Sequence, residues 1–427
     1  MKRFFTKILI IFGIFTLFTL ILMITIGLYS WYSRERVPEK ALLELDLQTQ
    51  IVDYIPDDPV ARAFLGDAPQ LLDLVMAIEK AGDDPRIKGI YANIDNPAFG
   101  LATIQELRSA ILDFRKKGKS AVAFAETFGE FSAGNGAYYL ATAFDRIYLQ
   151  PSGDLGLTGL IMESPFLKGT LEKLEIRPQF DHRKQYKTAM NIFTEKGFTD
   201  AHRESAKSLM NSRFEDLVNG ISETRDISEE NMSDLFDHGL FSARNAFDAG
   251  LIDDLLYEDE VFGQLENEFG AEIERISWSD YLMRDGYPYS EGKKKIALIY
   301  GVGAVVRGKS GFNPLTGGLL MGSETVTQAF REAAEDKDVQ AIVFRINSPG
   351  GSYIASDTIW RESVKIRQKG IPVIVSMGNL GASGGYFVSM GADRIFAQPG
   401  TITGSIGVLA GKRSEERRVG KECATGC

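Results

Sequence analysis

One unit of sequence occurs twice in this chain. The stretch DDPRIKGIYANIDNP, ending at Pro97, is answered by DKDVQAIVFRINSPGG, with Pro349 in the matching place. Farther on, SAGNGAYYLATAFDRIYLQP is answered by LGASGGYFVSMGADRIFAQP. Asp145-Arg146-Ile147 then matches Asp393-Arg394-Ile395, and Gln150-Pro151 matches Gln398-Pro399. Self-similarity on this scale means two copies of one folding unit. Whatever the unit is, the chain must accommodate it twice.

Each copy reads as alternating strands and helices. Ile342 to Ile346 and Val373 to Ser376 are short apolar runs bounded by turn residues, as buried strands require. Ser352 to Gln368, between them, has helical character. In the first copy Leu71, Leu72, Leu74, Val75 and Ile78 form one helix face. Largely apolar strands joined through helices predict an α/β fold with covered parallel sheets. The polar stretch from about Phe198 to Asp254 predicts helices, with Thr199 as an N-cap, and is expected to join the two units. Residues 286–294 read as a turn-rich boundary.

The copies differ where chemistry can occur. The second has Gly381-Ala382-Ser383-Gly384-Gly385, whereas the first places Asn135 where Ser383 stands. Gly350 and Gly351 are matched by Ala98 and Phe99. A serine at the start of a helix lies beside free N–H groups and the positive end of the dipole. Glycine lets the backbone approach a reacting group closely, and backbone N–H groups stabilise an oxyanion. Gly384 N–H is one candidate donor, and Gly350 or Gly351 the other. The serine needs a base. His182, His202 and His238 all precede it, and none sits in a recognisable motif. A Ser–Lys pair is the alternative, since burial lowers an amine's pKa, but spacing does not choose among 48 Lys and Arg residues. The same serine satisfies G-x-S-x-G, the nucleophile elbow of α/β-hydrolases, a fold that requires a later acid and histidine. A crotonase-like acyl-transfer enzyme and an inactive membrane scaffold are two further readings.

Composition removes other classes. A formal net charge of -10 argues against a nucleic-acid binder. The two cysteines, Cys423 and Cys427, both lie at the C-terminal end, so the body has no disulfide framework and no Cys-rich metal site. No charge occurs from Ile8 to Ser33, a run long enough to cross a bilayer as one helix. Lys2, Arg3 and Lys7 precede it, which predicts a cytoplasmic start and an external body. A cleaved signal peptide has a shorter apolar region and a small-x-small site, and neither is seen.

Taken together, RINSPGGS, GASGGYFVS, QPGTITGSIGV and QYKTAMNIF resemble the long, duplicated type of the signal peptide peptidase A (protease IV) family, peptidase family S49. The resemblance runs from the anchor to about Leu409. It implies tandem Clp protease/crotonase-like units behind an N-terminal transmembrane helix, and a serine endopeptidase with no metal or cofactor. It implies Ser383 as nucleophile, Lys187 as general base, Ser405 as a residue that helps hold the lysine, and Gly384 with Gly350 or Gly351 as the oxyanion hole. The implied substrates are cleaved signal peptides and other apolar peptides. A homotetramer in the bacterial inner membrane, with a periplasmic body, completes the expectation.

The chain is thus expected to divide into residues 1–36 (cytoplasmic start and anchor), 37–290 (first unit, carrying the lysine), 291–412 (second unit, carrying the serine and cut short) and 413–427. The last stretch, RSEERRVGKECATGC, has no apolar period and reads as a non-native tail. The site residues survive this shortening, but activity is expected to suffer from it.

Overall fold

A computed structural model describes residues 12–25, 36–66, 68–94, 99–130, 132–270, 272–289 and 292–412. It contains two parallel sheets of matching order. In the first, Ala41–Asp46, Ile87–Asn93, Ser120–Ala125 and Arg146–Leu149 lie side by side in sequence order. Asp254–Leu255 and Glu274–Ser277 add parallel strands at the two edges. In the second, Lys295–Val302, Val339–Ser348, Val373–Ala382 and Arg394–Phe396 keep the same order, all parallel. Ile402–Gly404 also pairs with Val373–Ala382, beyond Arg394–Phe396.

The expected helices form for local reasons. Ser352 caps helix Tyr353–Gln368 by accepting from Ala355 N, and Thr199 caps Asp200–Arg225 by accepting from His202 N. The helical stretch after Phe198 packs onto the first sheet's side of the molecule. Leu217, Val218, Ile221, Met232 and Phe236 are buried in the main core of the first unit. Thr199 and the polar surface of that helix were legible; its apolar stripe, confined to the second half, was not.

The faces of the two sheets are treated differently. On the first, Leu42, Tyr91, Val122, Phe124 and Tyr148 are covered by Val261 and Leu265 of helix Glu258–Phe269. The register of the strands puts Ile296, Ile374 and Phe396 in the places of Leu42, Val122 and Tyr148. Ile296 is 68% exposed and Phe396 59%. The other face packs Phe344, Ile342 and Val375 against Phe330 and Ile359.

Helix Leu101–Lys116 of the first unit docks its N-terminal end on the second. Thr103 N donates to Asn379 Oδ1 (3.2 Å), Asn379 Nδ2 donates to Thr103 Oγ1 (2.8 Å), and Gly400 N donates to Gln105 Oε1 (2.7 Å). Strand Leu409–Lys412 pairs antiparallel with Gln179–His182, a second join between the units.

Residues 12–25 are helical and apolar, with Phe12 69% exposed. The rest of the uncharged run, 8–11 and 26–33, lies outside the described residues, as does the expected tail 413–427. Among the described residues no helix is long and apolar enough to cross a membrane.

Candidate active site

Two crossings bring the candidate residues together. Strand Val373–Ala382 ends at Ser383, the N-cap of helix Gly384–Ser389. Ser383 has φ 52° and ψ -114°, a conformation that costs a non-glycine residue free energy and that clusters at functional sites. It is held there by two backbone bonds. Ser383 N donates to Gly404 O (2.8 Å), and Phe387 N donates to Ser383 O (2.9 Å). Its counterpart Asn135 is instead the first residue of helix Asn135–Ala141 and has no positive φ.

The lysine arrives from the other unit. Arg183 N donates to Val408 O (2.9 Å), continuing the pairing of Gln179–His182 with Leu409–Lys412. This fixes the loop that carries Lys187 against residues 405–408. Lys187 is 4% exposed. Its Nζ lies 3.0 Å from Ser383 Oγ, 2.9 Å from Ser405 Oγ and 2.6 Å from Ser405 O. No carboxylate pairs with it among the described residues. Burial, with no anion to offset it, pulls its pKa below the ordinary lysine value. Ser405 holds φ 49°, a second strained residue in the same site.

The glycines separate by role. Gly350 N donates to Ser348 Oγ (3.2 Å), which in turn donates to Gly303 O (2.7 Å). Gly351 N–H and Gly384 N–H have no acceptor among the described residues. They are close neighbours, since a Cβ on Gly384 would stand 3.0 Å from Gly351 N. Gly350 matters for its shape. It has φ 101°, and a Cβ there would lie 2.6 Å from Gly384 N and 2.7 Å from Ser383 Cβ. Of the two expected alternatives, Gly351 is the better-placed donor.

The histidines stay apart from this site. His182 turns its Nδ1 to Lys184 O (2.9 Å), and His202 and His238 pack on Phe198 and Phe241. None of them hydrogen-bonds Ser383.

Sequence reasoning missed a charged cluster beneath the site. Arg345 Nε donates to Asp53 Oδ1 (2.9 Å), its Nη1 to Ser376 Oγ (2.9 Å) and its Nη2 to Glu106 Oε1 (2.8 Å). Asp53 and Glu106 come from the first unit. The cluster edges a cavity of about 160 Å³ walled by Leu71, Leu72, Val75, Leu298 and Val343. Burial raises the pKa of Glu106, partly offset by Arg345. The one signal for this cluster was a copy difference, Arg345 standing where Asn93 stands in the first unit.

The chain is similar to known proteins along much of its length. The profile of peptidase family S49 matches residues 113–272 and 365–419, about half of the chain. Serine protease SPPA, chloroplastic, of Arabidopsis thaliana is 31% identical over 90% of this chain and 55% of its own length. Protease 4 of Salmonella typhi is 33% identical over 79% of this chain and 55% of its own length. Over a shorter stretch, 18% of this chain and 23% of the relative, the putative signal peptide peptidase SppA of Enterococcus faecium is 44% identical. The chain therefore spans about half the length of the long relatives it matches. With a profile matched across both units and similarity to relatives along most of its length, the chain belongs to peptidase family S49.

Proposed function

We propose that this chain carries the active site of a membrane-anchored serine endopeptidase that works with a Ser–Lys dyad. The observation that carries the reading is the buried Lys187 amine 3.0 Å from Ser383 Oγ, in a member of a peptidase family. Lysine serves as a base only when neutral, and burial favours that form. The neutral amine has two N–H groups and one lone pair. Ser405 O and Ser405 Oγ accept the two N–H groups, which leaves the lone pair for the Ser383 hydroxyl.

In acylation, Ser383 Oγ attacks the peptide carbonyl carbon as its proton passes to Lys187 Nζ. The carbonyl electron pair moves to oxygen, where Gly351 N–H and Gly384 N–H receive the oxyanion. Collapse expels the amine, which takes the proton from Lys187. Water repeats the sequence on the acyl-enzyme, releases the acid and restores Ser383.

The substrates are signal peptides and other apolar peptides, in keeping with the names of the relatives. The two sheets of matching order are tandem copies, of which the second keeps the nucleophile and the first supplies the base. The apolar run from Ile8 to Ser33 anchors the protein in the bacterial inner membrane with its body in the periplasm, and the assembly is a homotetramer. The α/β-hydrolase reading is the weaker one, because no histidine reaches Ser383.

Labelling of the detergent-solubilised chain with a fluorophosphonate tests this directly. Wild-type labelling at Ser383, absent from Ser383→Ala and Lys187→Ala, is the expected result. A Lys187→Ala variant that labels normally refutes the base, and labelling that survives Ser383→Ala refutes the nucleophile.

A further inference from the structure

The two central strands of the second sheet slip out of register just before the site. Ile346 faces Met377, but the next pair is Ser348 with Gly381. On one strand Asn347 alone spans this interval; on the other it takes Gly378, Asn379 and Leu380. A bulge of this kind loses ladder bonds and re-aims the residues beyond it. Here both strands lead directly into the site, one to Ser348-Pro349-Gly350-Gly351 and the other to Ala382-Ser383.

The side chain of Asn347 replaces the missing ladder. Its Oδ1 accepts from Leu380 N (3.1 Å), and its Nδ2 donates to Asp53 Oδ2. Asp53 lies in the first unit, has a side chain 6% exposed, and accepts from Arg345 with its other oxygen. Gly378 makes room for this arrangement, since a Cβ there would stand 3.2 Å from Arg345 Nη2 and 3.3 Å from Asn347 Cγ. The same bulge is gripped from the first unit at Asn379 by Thr103.

We infer that Asn347 is a positioning residue: through Asp53 it ties the docking of the first unit to the spacing of the Gly351 and Ser383 turns. It touches neither Ser383 nor Lys187. Its effect is on where the Gly351 N–H sits relative to Ser383 Oγ. A carboxamide suits the task because one end must accept from a backbone N–H and the other donate to a carboxylate. The first copy has Asp95 at the matching position, which has no donor to offer a carboxylate. This inference rests on the Ser–Lys reading for its activity readout, so the experiment includes one readout that does not.

The test uses the full chain and three variants. Asn347→Asp keeps the acceptor for Leu380 N but sets a second carboxylate against Asp53. Asn347→Asp combined with Asp53→Asn restores a donor–acceptor pair at unchanged net charge. Asn347→Ala removes the bridge and adds no charge. Asn347→Asp and Asn347→Ala are expected to label with fluorophosphonate about 10- to 100-fold more slowly, and to turn over a fluorogenic apolar peptide with kcat lowered and KM unchanged, as small misplacements produce. The double variant is expected to recover to within about threefold of wild type. Amide exchange over residues 347–351 and 378–384, read by mass spectrometry without any label, should quicken in Asn347→Asp and return to normal in the double variant. Wild-type labelling by a folded Asn347→Ala overturns the proposal. So does a folded double variant that remains as slow as Asn347→Asp. Because exchange does not depend on the nucleophile, failure of the Ser383→Ala control refutes the Ser–Lys reading while the exchange data still decide the role of Asn347.

Discussion

Lys187 Nζ and Ser383 Oγ lie 3.0 Å apart although 196 residues separate them along the chain. The first unit brings an amine and the second a hydroxyl, and the strand pair between residues 179–182 and 409–412 holds them in reach. Loss of either member should lower peptide hydrolysis by at least about 10³-fold, the scale seen when members of nucleophile–base sets are removed. Lys187→Arg should be as inactive as Lys187→Ala, because a guanidinium stays protonated and cannot take the serine proton. Turnover of a fluorogenic apolar peptide by the three variants checks this.

The pH dependence comes from burial. Lys187 titrates below the ordinary 10.5, and only its neutral form is a base. The labelling rate should be low in acid, climb as pH rises through the lowered pKa, and reach its plateau before 10.5. The unfolded chain keeps the ordinary value. Between the two values the unfolded state therefore binds more protons, and the contribution of Lys187 to stability rises with pH. A labelling profile with its midpoint at or above the ordinary lysine value contradicts the assignment.

Ser405 holds Nζ through both its hydroxyl and its carbonyl. Ser405→Ala removes one of these and leaves the other. A net hydrogen bond is worth about 1 kcal/mol, so the labelling rate should drop by about fivefold, with the melting temperature nearly unchanged. Stopped-flow labelling beside a thermal melt separates the two effects.

Gly350→Ala tests shape rather than hydrogen bonding. The new Cβ meets Gly384 N at 2.6 Å, and φ 101° disfavours any side chain. Activity should disappear, with a stability loss of about 1–3 kcal/mol from the backbone strain, read by urea unfolding. A Gly350→Ala variant with wild-type turnover would show that the two turns have more room than their geometry allows.

The uncovered face of the second sheet predicts a solubility effect. Ile296 and Phe396 are exposed, whereas Leu42 and Tyr148 in the matching places are buried. Exposed apolar strands promote association. Lys at both positions (Ile296→Lys with Phe396→Lys) should raise the soluble fraction and sharpen the size-exclusion profile, with little change in melting temperature.

Much of this was legible in the residues. The apolar strands joined through helices pointed to an α/β fold with parallel sheets, and the copy differences pointed to Ser383, Gly350 and Gly351. A serine among glycines is a local signal, since the strained turn needs those residues in sequence. The lysine proposed as its base is not. Lys187 acquires its character from burial and from Ser405, both supplied by the fold, and only the family resemblance singled it out among the basic residues. Asp53, Glu106 and Arg345 were missed for the same reason: their meaning lies in a contact between units that no local pattern encodes. The burial of Leu217, Val218 and Ile221 was not legible, because that stripe occupies only part of a long polar helix.

The division of the proposed pair between two units also bears on when its two members can meet. A ribosome delivers Lys187 first, in a unit whose own Ser383 position is Asn135. The hydroxyl follows the third strand of the second sheet, and in the folded chain it meets the amine beside the pairing of 409–412 with 179–182. A half-made chain therefore holds the Lys187 amine without the Ser383 hydroxyl. On the proposed Ser–Lys reading, competence to cleave waits for the pairing of 409–412 with 179–182.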